Sequence, residues 1–149
     1  MGEYRSTKVF TGLSCAHRRW RHDGHCAQIH GYDRTVTIEF GADQRDQNGF
    51  VMDFGGLKPV KAWLESQFDH TLLLDSDDPL LPDFRALESK GACRLVTFDD
   101  VGMEGSAQYI SDYVSQWLAR TTHSRVYVVS VTVAENTKNS GQYLNRTTR

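Results

Sequence analysis

The sequence predicts an α+β domain in which an antiparallel sheet carries helices on one face. Three segments predict it. Residues 35–40 alternate polar Thr35, Thr37 and Glu39 with apolar Val36, Ile38 and Phe40, the two-residue period of a half-buried strand. Residues 125–135 form the strongest strand pattern in the chain. Residues 106–120 place Tyr109, Ile110, Tyr113, Val114, Trp117 and Leu118 on one side of a clear amphipathic helix.

The other elements follow in order. Residues 8–17 supply a strand to pair with 35–40, and the loop between them, 18–29, is dense in Arg, His, Asp and Gly. Loops held by a rigid sheet are where site residues gather. Asp46-Gln47-Asn48-Gly49 is a turn signal, and residues 50–53 read as a short returning strand. Leu57, Val60, Leu64 and Phe68 then recur at helical spacing. Asp53 serves the N-terminal end of that helix, Pro59 is tolerated in its first turn, and it ends near Phe68. Residues 75–91, with Pro79 and Pro82, read as irregular around a short helix at 84–89, and 94–98 as a strand.

The chain has 149 residues, 39% hydrophobic and 24% charged, which suits one globular domain and excludes a fibrous or disordered chain. A formal charge of -2 gives no global reason to expect nucleic acid or an anionic membrane as partner. No apolar run of about 18 residues occurs, and residues 1–10 lack the apolar core of a secretory signal, so the expected location is the cytoplasm. Cys15, Cys26 and Cys93 are too sparse for a disulfide framework, and their odd number leaves a free thiol.

The densest chemical cluster is His17, His22, His25, Cys26 and His30. His17 near one strand end and His30 near the next strand's start can converge, since antiparallel neighbours lie about 5 Å apart. Catalytic zinc commonly takes three protein ligands, and spacing alone supplies two; the alternative is a set of ordinary polar loop histidines. Cys26 stands beside His25 and near Arg18, Arg19 and Arg21, a cationic setting that favours a thiolate; an inert buried cysteine is the alternative. In Asp69-His70 the carboxylate can orient the imidazole, or the two can be a solvated Asp and a His at a helix end. Glu135, closing the strong strand, is either a surface charge or a pocket carboxylate able to take paired hydrogen bonds from a guanidine-like ring edge.

Taken in order, these residues resemble the 6-pyruvoyl-tetrahydropterin synthase and 6-carboxy-tetrahydropterin synthase family. Ser14-Cys15-Ala16-His17 resembles its first zinc-ligand strand, and Cys26-Ala27-Gln28-Ile29-His30-Gly31 its Cys-x-x-x-His-Gly signature. Asp53-Phe54 with Leu57-Lys58, Phe68-Asp69-His70, and Val133-Ala134-Glu135-Asn136 followed by Tyr143 are similar to three further blocks. Two positions depart from the pattern. Tyr32 stands where the family has its third zinc histidine, leaving a phenolate ligand, recruitment of His22 or His25, or a weak or absent metal as the choices. Val101-Gly102-Met103-Glu104 stands where the family usually has Pro-Thr-x-Glu, keeping Glu104 and losing the threonine that helps hold the pterin.

The resemblance implies a tunnelling fold: a four-stranded antiparallel sheet with two helices on one face, closing into a barrel as a homo-hexamer with sites between subunits. It implies a lyase acting on 7,8-dihydroneopterin triphosphate, with Cys26, Asp69 and His70 moving protons. Glu135, with Glu104, would bind the pterin, and one Zn2+ per subunit would sit on His17, His30 and Tyr32. Arg18, Arg19 and Arg21 are candidate triphosphate contacts, with a solvated basic loop as the alternative. The favoured product is 6-carboxytetrahydropterin, released with acetaldehyde and triphosphate in the queuosine (7-deazaguanine) pathway. Triphosphate elimination to 6-pyruvoyl-tetrahydropterin and a non-catalytic pterin- or purine-binding protein are the alternatives.

Overall fold

A computed structural model describes residues 2–146. Its centre is a long antiparallel pair, β1 (Tyr4–His17) and β2 (His30–Ala42), in register from Tyr4 opposite Ala42 to His17 opposite His30, with one irregularity between Phe10 and Leu13. Because opposed residues share a face, the inward parity of β1 (Leu13, Cys15, His17) lines up with that of β2 (Arg34, Tyr32, His30). The strand chemistry thereby sets the site's first ladder.

Beyond them lie β3 (Thr71–Asp75), β4 (Leu95–Phe98), β5 (Tyr127–Ala134) and β6 (Ser140–Leu144), in the spatial order β4-β3-β1-β2-β5-β6. The implied four-stranded antiparallel sheet is present as β1-β2-β5-β6, and it is extended to six strands by β3 and β4, which pair in parallel with β1 and with each other. β3 reads Thr-Leu-Leu-Leu-Asp and is buried throughout. A short uninterrupted apolar run lacks the alternation that marks a one-sided strand, as expected of a strand covered on both faces.

Three α-helices are found among the described residues: α1 (Lys58–Phe68), α2 (Leu81–Ser89) and α3 (Met103–Thr121). Val60, Leu64 and Phe68 of α1 and Ala107, Ile110, Val114 and Leu118 of α3 meet the inward residues of β1, β2 and β5 in one core. Trp63 of α1 stacks on Tyr113 of α3 at 3.9 Å, and Phe98 of β4 on Tyr109 at 4.0 Å. The helices do not all share one face, because β3 divides its side chains. Leu73 enters the main core, whereas Leu72 and Leu74 join Phe84 of α2 in a second cluster, placing α2 on the opposite side.

Residues 50–53 are not a strand. Asp46 Oδ1 accepts from the amides of Asn48 and Phe50, Gly49 turns at φ 85°, and Arg125 takes the Val51 carbonyl at 2.9 Å, so no ladder forms. Asp53 instead caps the short 3-10 turn Phe54–Leu57 that leads into α1, accepting from Gly55 N at 3.0 Å. No helix among the described residues is long and apolar enough to cross a membrane.

Candidate active site

β1 and β2 deliver His17 and His30 as directly opposed residues, their ring centroids 4.3 Å apart. His17 is 3% exposed, and its Nδ1 is buried with no hydrogen-bond partner. Burial first, then the charges of Arg34, His30 and Arg19, lower its pKa from 6.5 to about 3, so the ring is neutral. His30 Nδ1 lies 2.7 Å from the Gln28 carbonyl and donates to it, which leaves Nε2 with its lone pair free. Tyr32 follows on the same face, edge-on to His30 at 5.8 Å.

Asp69 and His70 end the α1–β3 connection and dock on β1. His70 N donates to Ser14 O at 2.6 Å, and Ser14 N donates to Asp69 Oδ1 at 3.3 Å. His70 adopts φ 57°, a left-handed backbone rare outside glycine, and its side chain is 85% exposed. Its Nδ1 meets Asp69 Oδ1 at 3.0 Å. An imidazole on strained backbone, oriented by a carboxylate and aimed at solvent, has no packing reason to be there. It rims an open cavity of about 430 Å³ that also reaches Cys15, Tyr32 and Asp33.

Cys26 sits half-buried in the short 3-10 turn His25–Ala27, on a separate segment from Asp69-His70, and does not line that cavity. Glu135, just past β5, accepts from Asn139 Nδ2 at 3.1 Å; Glu104 is exposed in the first turn of α3. Gly141 of β6 lets the chain approach that turn, where a Cβ would come within 2.7 Å of Glu104 N. Arg18, Arg19 and Arg21 are all tied down, to Asp78, to Asp75 and Asp100, and to Asp77 respectively. Arg18 is thereby largely buried, whereas the pair of Arg21 and Asp77 stays exposed on the loop surface.

Residues 6–146 match the family described as 6-pyruvoyl tetrahydropterin synthase. The chain belongs to that family. A probable 6-carboxy-5,6,7,8-tetrahydropterin synthase of Halobacterium salinarum is 31% identical over 83% of this chain and 75% of its own. The 6-carboxy-5,6,7,8-tetrahydropterin synthase of Rickettsia felis is 40% identical over 44% of this chain and 49% of its own, so the match spans about half of that relative. Among solved structures, an uncharacterized protein of Wolinella succinogenes superposes with TM-score 0.82 at 21% identity, covering 98% of this chain and 100% of the other. The 6-pyruvoyltetrahydropterin synthase of Plasmodium vivax superposes at 0.67 and 18%, covering 97% and 99%. At those identities the superpositions speak for the fold alone.

The ladder also carries a residue of this family member that the sequence reading passed over. Arg34, fully buried two positions past Tyr32, donates Nη1 to Ser106 Oγ at 3.2 Å, while its Nε and Nη2 have no partner. The signal was parity: 34 continues 36, 38 and 40 inward. For a metal, the donor chemistry fits in part. Two imidazoles are opposed and the orphaned His17 nitrogen is suited to a cation, but among the described residues no three His, Cys, Asp or Glu side chains gather around one point. Tyr32, opposite the buried Cys15 thiol, is the oxygen donor nearest His30 on that face, while His22 and His25 are exposed in the loop.

Proposed function

We propose that the chain is a 6-carboxy-tetrahydropterin-forming lyase that converts 7,8-dihydroneopterin triphosphate to 6-carboxytetrahydropterin, acetaldehyde and triphosphate, in the cytoplasm and the 7-deazaguanine pathway. The observation that carries this reading is His70, exposed on strained backbone and oriented by Asp69 at the rim of the cavity. With Nδ1–H donating to Asp69, Nε2 is left as a base facing solvent, the arrangement a general acid–base group needs. The names of the curated relatives, 26% to 40% identical, support the 6-carboxy product.

Cys26 is the second proton carrier, and Glu135 the carboxylate that accepts paired hydrogen bonds from the pterin amino and ring NH groups, with Glu104 at the pocket edge. His17, His30 and Tyr32 would hold zinc, which supplies Lewis acidity toward the substrate's side-chain hydroxyls when bound. His17 stays neutral at working pH and so keeps a lone pair for that role.

Cys26 and Asp69-His70 stand on separate segments, and in the hexameric barrel that the family resemblance implies a second copy of the chain would complete the proton-transfer set. Mixing Cys26→Ala with His70→Ala subunits restores part of the activity if sites are shared; two inactive variants that stay inactive when mixed contradict sharing. The reaction itself is tested by incubating the protein with dihydroneopterin triphosphate and assaying acetaldehyde. Substrate loss without acetaldehyde overturns the 6-carboxy reading in favour of triphosphate elimination. The two-imidazole metal set favours a non-catalytic pterin-binding protein as the second reading; a purified protein that holds no added zinc and binds the pterin without consuming it supports that reading, and turnover that Cys26→Ala abolishes overturns it.

A further inference from the structure

We propose that Arg18, locked in place by Asp78, is the positioning residue for Cys26; this rests on the reading of Cys26 as a proton carrier. The turn His25–Ala27 buries none of its residues, so apolar packing does not fix the thiol. Hydrogen bonds to two consecutive carbonyls do. Arg19 N donates to Cys26 O at 2.6 Å, and Arg18 Nη1 donates to Ala27 O at 3.0 Å.

The Arg18 guanidinium is itself held. Its Nε and Nη2 meet the two oxygens of Asp78 at 2.7 and 2.6 Å, a bidentate fork, with side chains 12% and 0% exposed. Asp78 Oδ1 also accepts from Leu80 N at 2.9 Å, and the Asp78 amide donates to Asp75 O, so the carboxylate is anchored to the end of β3. A nearly dry ion pair is a poor stabilising device, because desolvating two charges offsets most of their attraction. What this one adds is geometry. Arg18 follows His17 directly, so one rigid fork fixes the turn relative to β1 and β3, the strands that carry His17 and follow His70.

Arg18→Lys keeps a cation beside Asp78 but loses the fork and the reach to Ala27; Asp78→Asn keeps the shape and loses the charge. In both, kcat on dihydroneopterin triphosphate falls about tenfold or more while KM stays within about twofold, because a small displacement of a reacting group costs rate rather than binding. Alkylation of Cys26, followed by peptide mapping, accelerates about threefold or more as the half-buried thiol is released. Arg85→Lys, which alters an ion pair on α2 with Glu88, changes neither. Folded variants with unchanged kcat and unchanged alkylation, or a loss confined to KM, overturn the proposal.

Cys26→Ala separates the two claims. If it turns over normally, the catalytic reading of Cys26 fails, and the alkylation rates alone decide whether Arg18 positions it. Should neither variant fold, amide exchange on the unaltered protein decides: Ala27 and Gln28, which donate to Gly24 and His25 carbonyls, are protected if the turn is pinned. Free exchange there overturns the proposal.

Discussion

The His17 titration gives a prediction whose size follows from the structure. In the metal-free protein the ring's pKa is about 3 against 6.5 unfolded, so the unfolded chain binds the proton more readily. Stability is therefore complete above pH 6.5 and is lost as pH falls toward 3. Between pH 8 and pH 5 the single-site linkage amounts to about 2 kcal/mol, and to about 5 kcal/mol once both states are protonated. His17→Gln removes this group. Urea unfolding with chelator present, at pH 8 and pH 5, compares the two proteins; Asp75, whose carboxyl burial raises and which pulls stability the other way, is common to both and cancels. The variant is expected to lose about 2 kcal/mol less than the parent on acidification. A difference smaller than about 0.5 kcal/mol, the usual error of additivity, refutes the buried neutral imidazole.

Four further outcomes are expected. Leu64→Ala, at a fully buried position where α1 meets the sheet, costs about 3 to 5 kcal/mol in urea unfolding, and a loss below about 1 kcal/mol contradicts the packing. Asp69→Asn lowers kcat about a hundredfold or more by releasing the His70 ring; a kcat within about threefold of the parent contradicts the pair. Tyr32→Phe weakens zinc binding about tenfold or more by competition titration, and equal affinity removes Tyr32 from the ligand set. Arg34→Met is neutral or stabilising by about 1 to 4 kcal/mol, since a buried charge with two unpaired donors is replaced by a side chain of similar volume; a loss above about 1 kcal/mol shows that those donors find partners.

The parts of the fold legible in the sequence were those with a period. Residues 35–40 and 106–120 fall inside β2 and α3, and 125–135 contains β5, because each element buries one face more than the other. β3 was missed because a strand covered on both sides has no alternation, and β6 because Ser140–Leu144 is short and mostly exposed. Asp53 was read rightly as a capping residue, yet the strand placed just before it was wrong: whether Val51 joins a ladder depends on Arg125, 74 positions away, taking its carbonyl. At the site, His17 and His30 were legible as a pair from strand ends alone. The fate of Arg18, Arg19 and Arg21 was not, since their aspartates arrive from the end of β3, the β3–α2 connection and the β4–α3 loop.

The same long-range dependence bears on how Tyr32 is weighed. Judged alone, a tyrosine for a histidine is a weakened metal site. Arg34 stands two residues further along the same face, about 7 Å away at the rise of a strand, and its charge is the second cause, after burial, of the low basicity of His17. A dication between His17 and His30 meets that same repulsion, which three neutral imidazoles do nothing to offset. A phenolate oxygen at Tyr32 brings the negative charge that an imidazole lacks. Tyr32 and Arg34 are then one electrostatic unit, and their effects on zinc affinity are coupled: Tyr32→Phe costs less in the Arg34→Met background than in the parent. Equal costs in the two backgrounds leave Tyr32 as a plain substitution and Arg34 as a bystander.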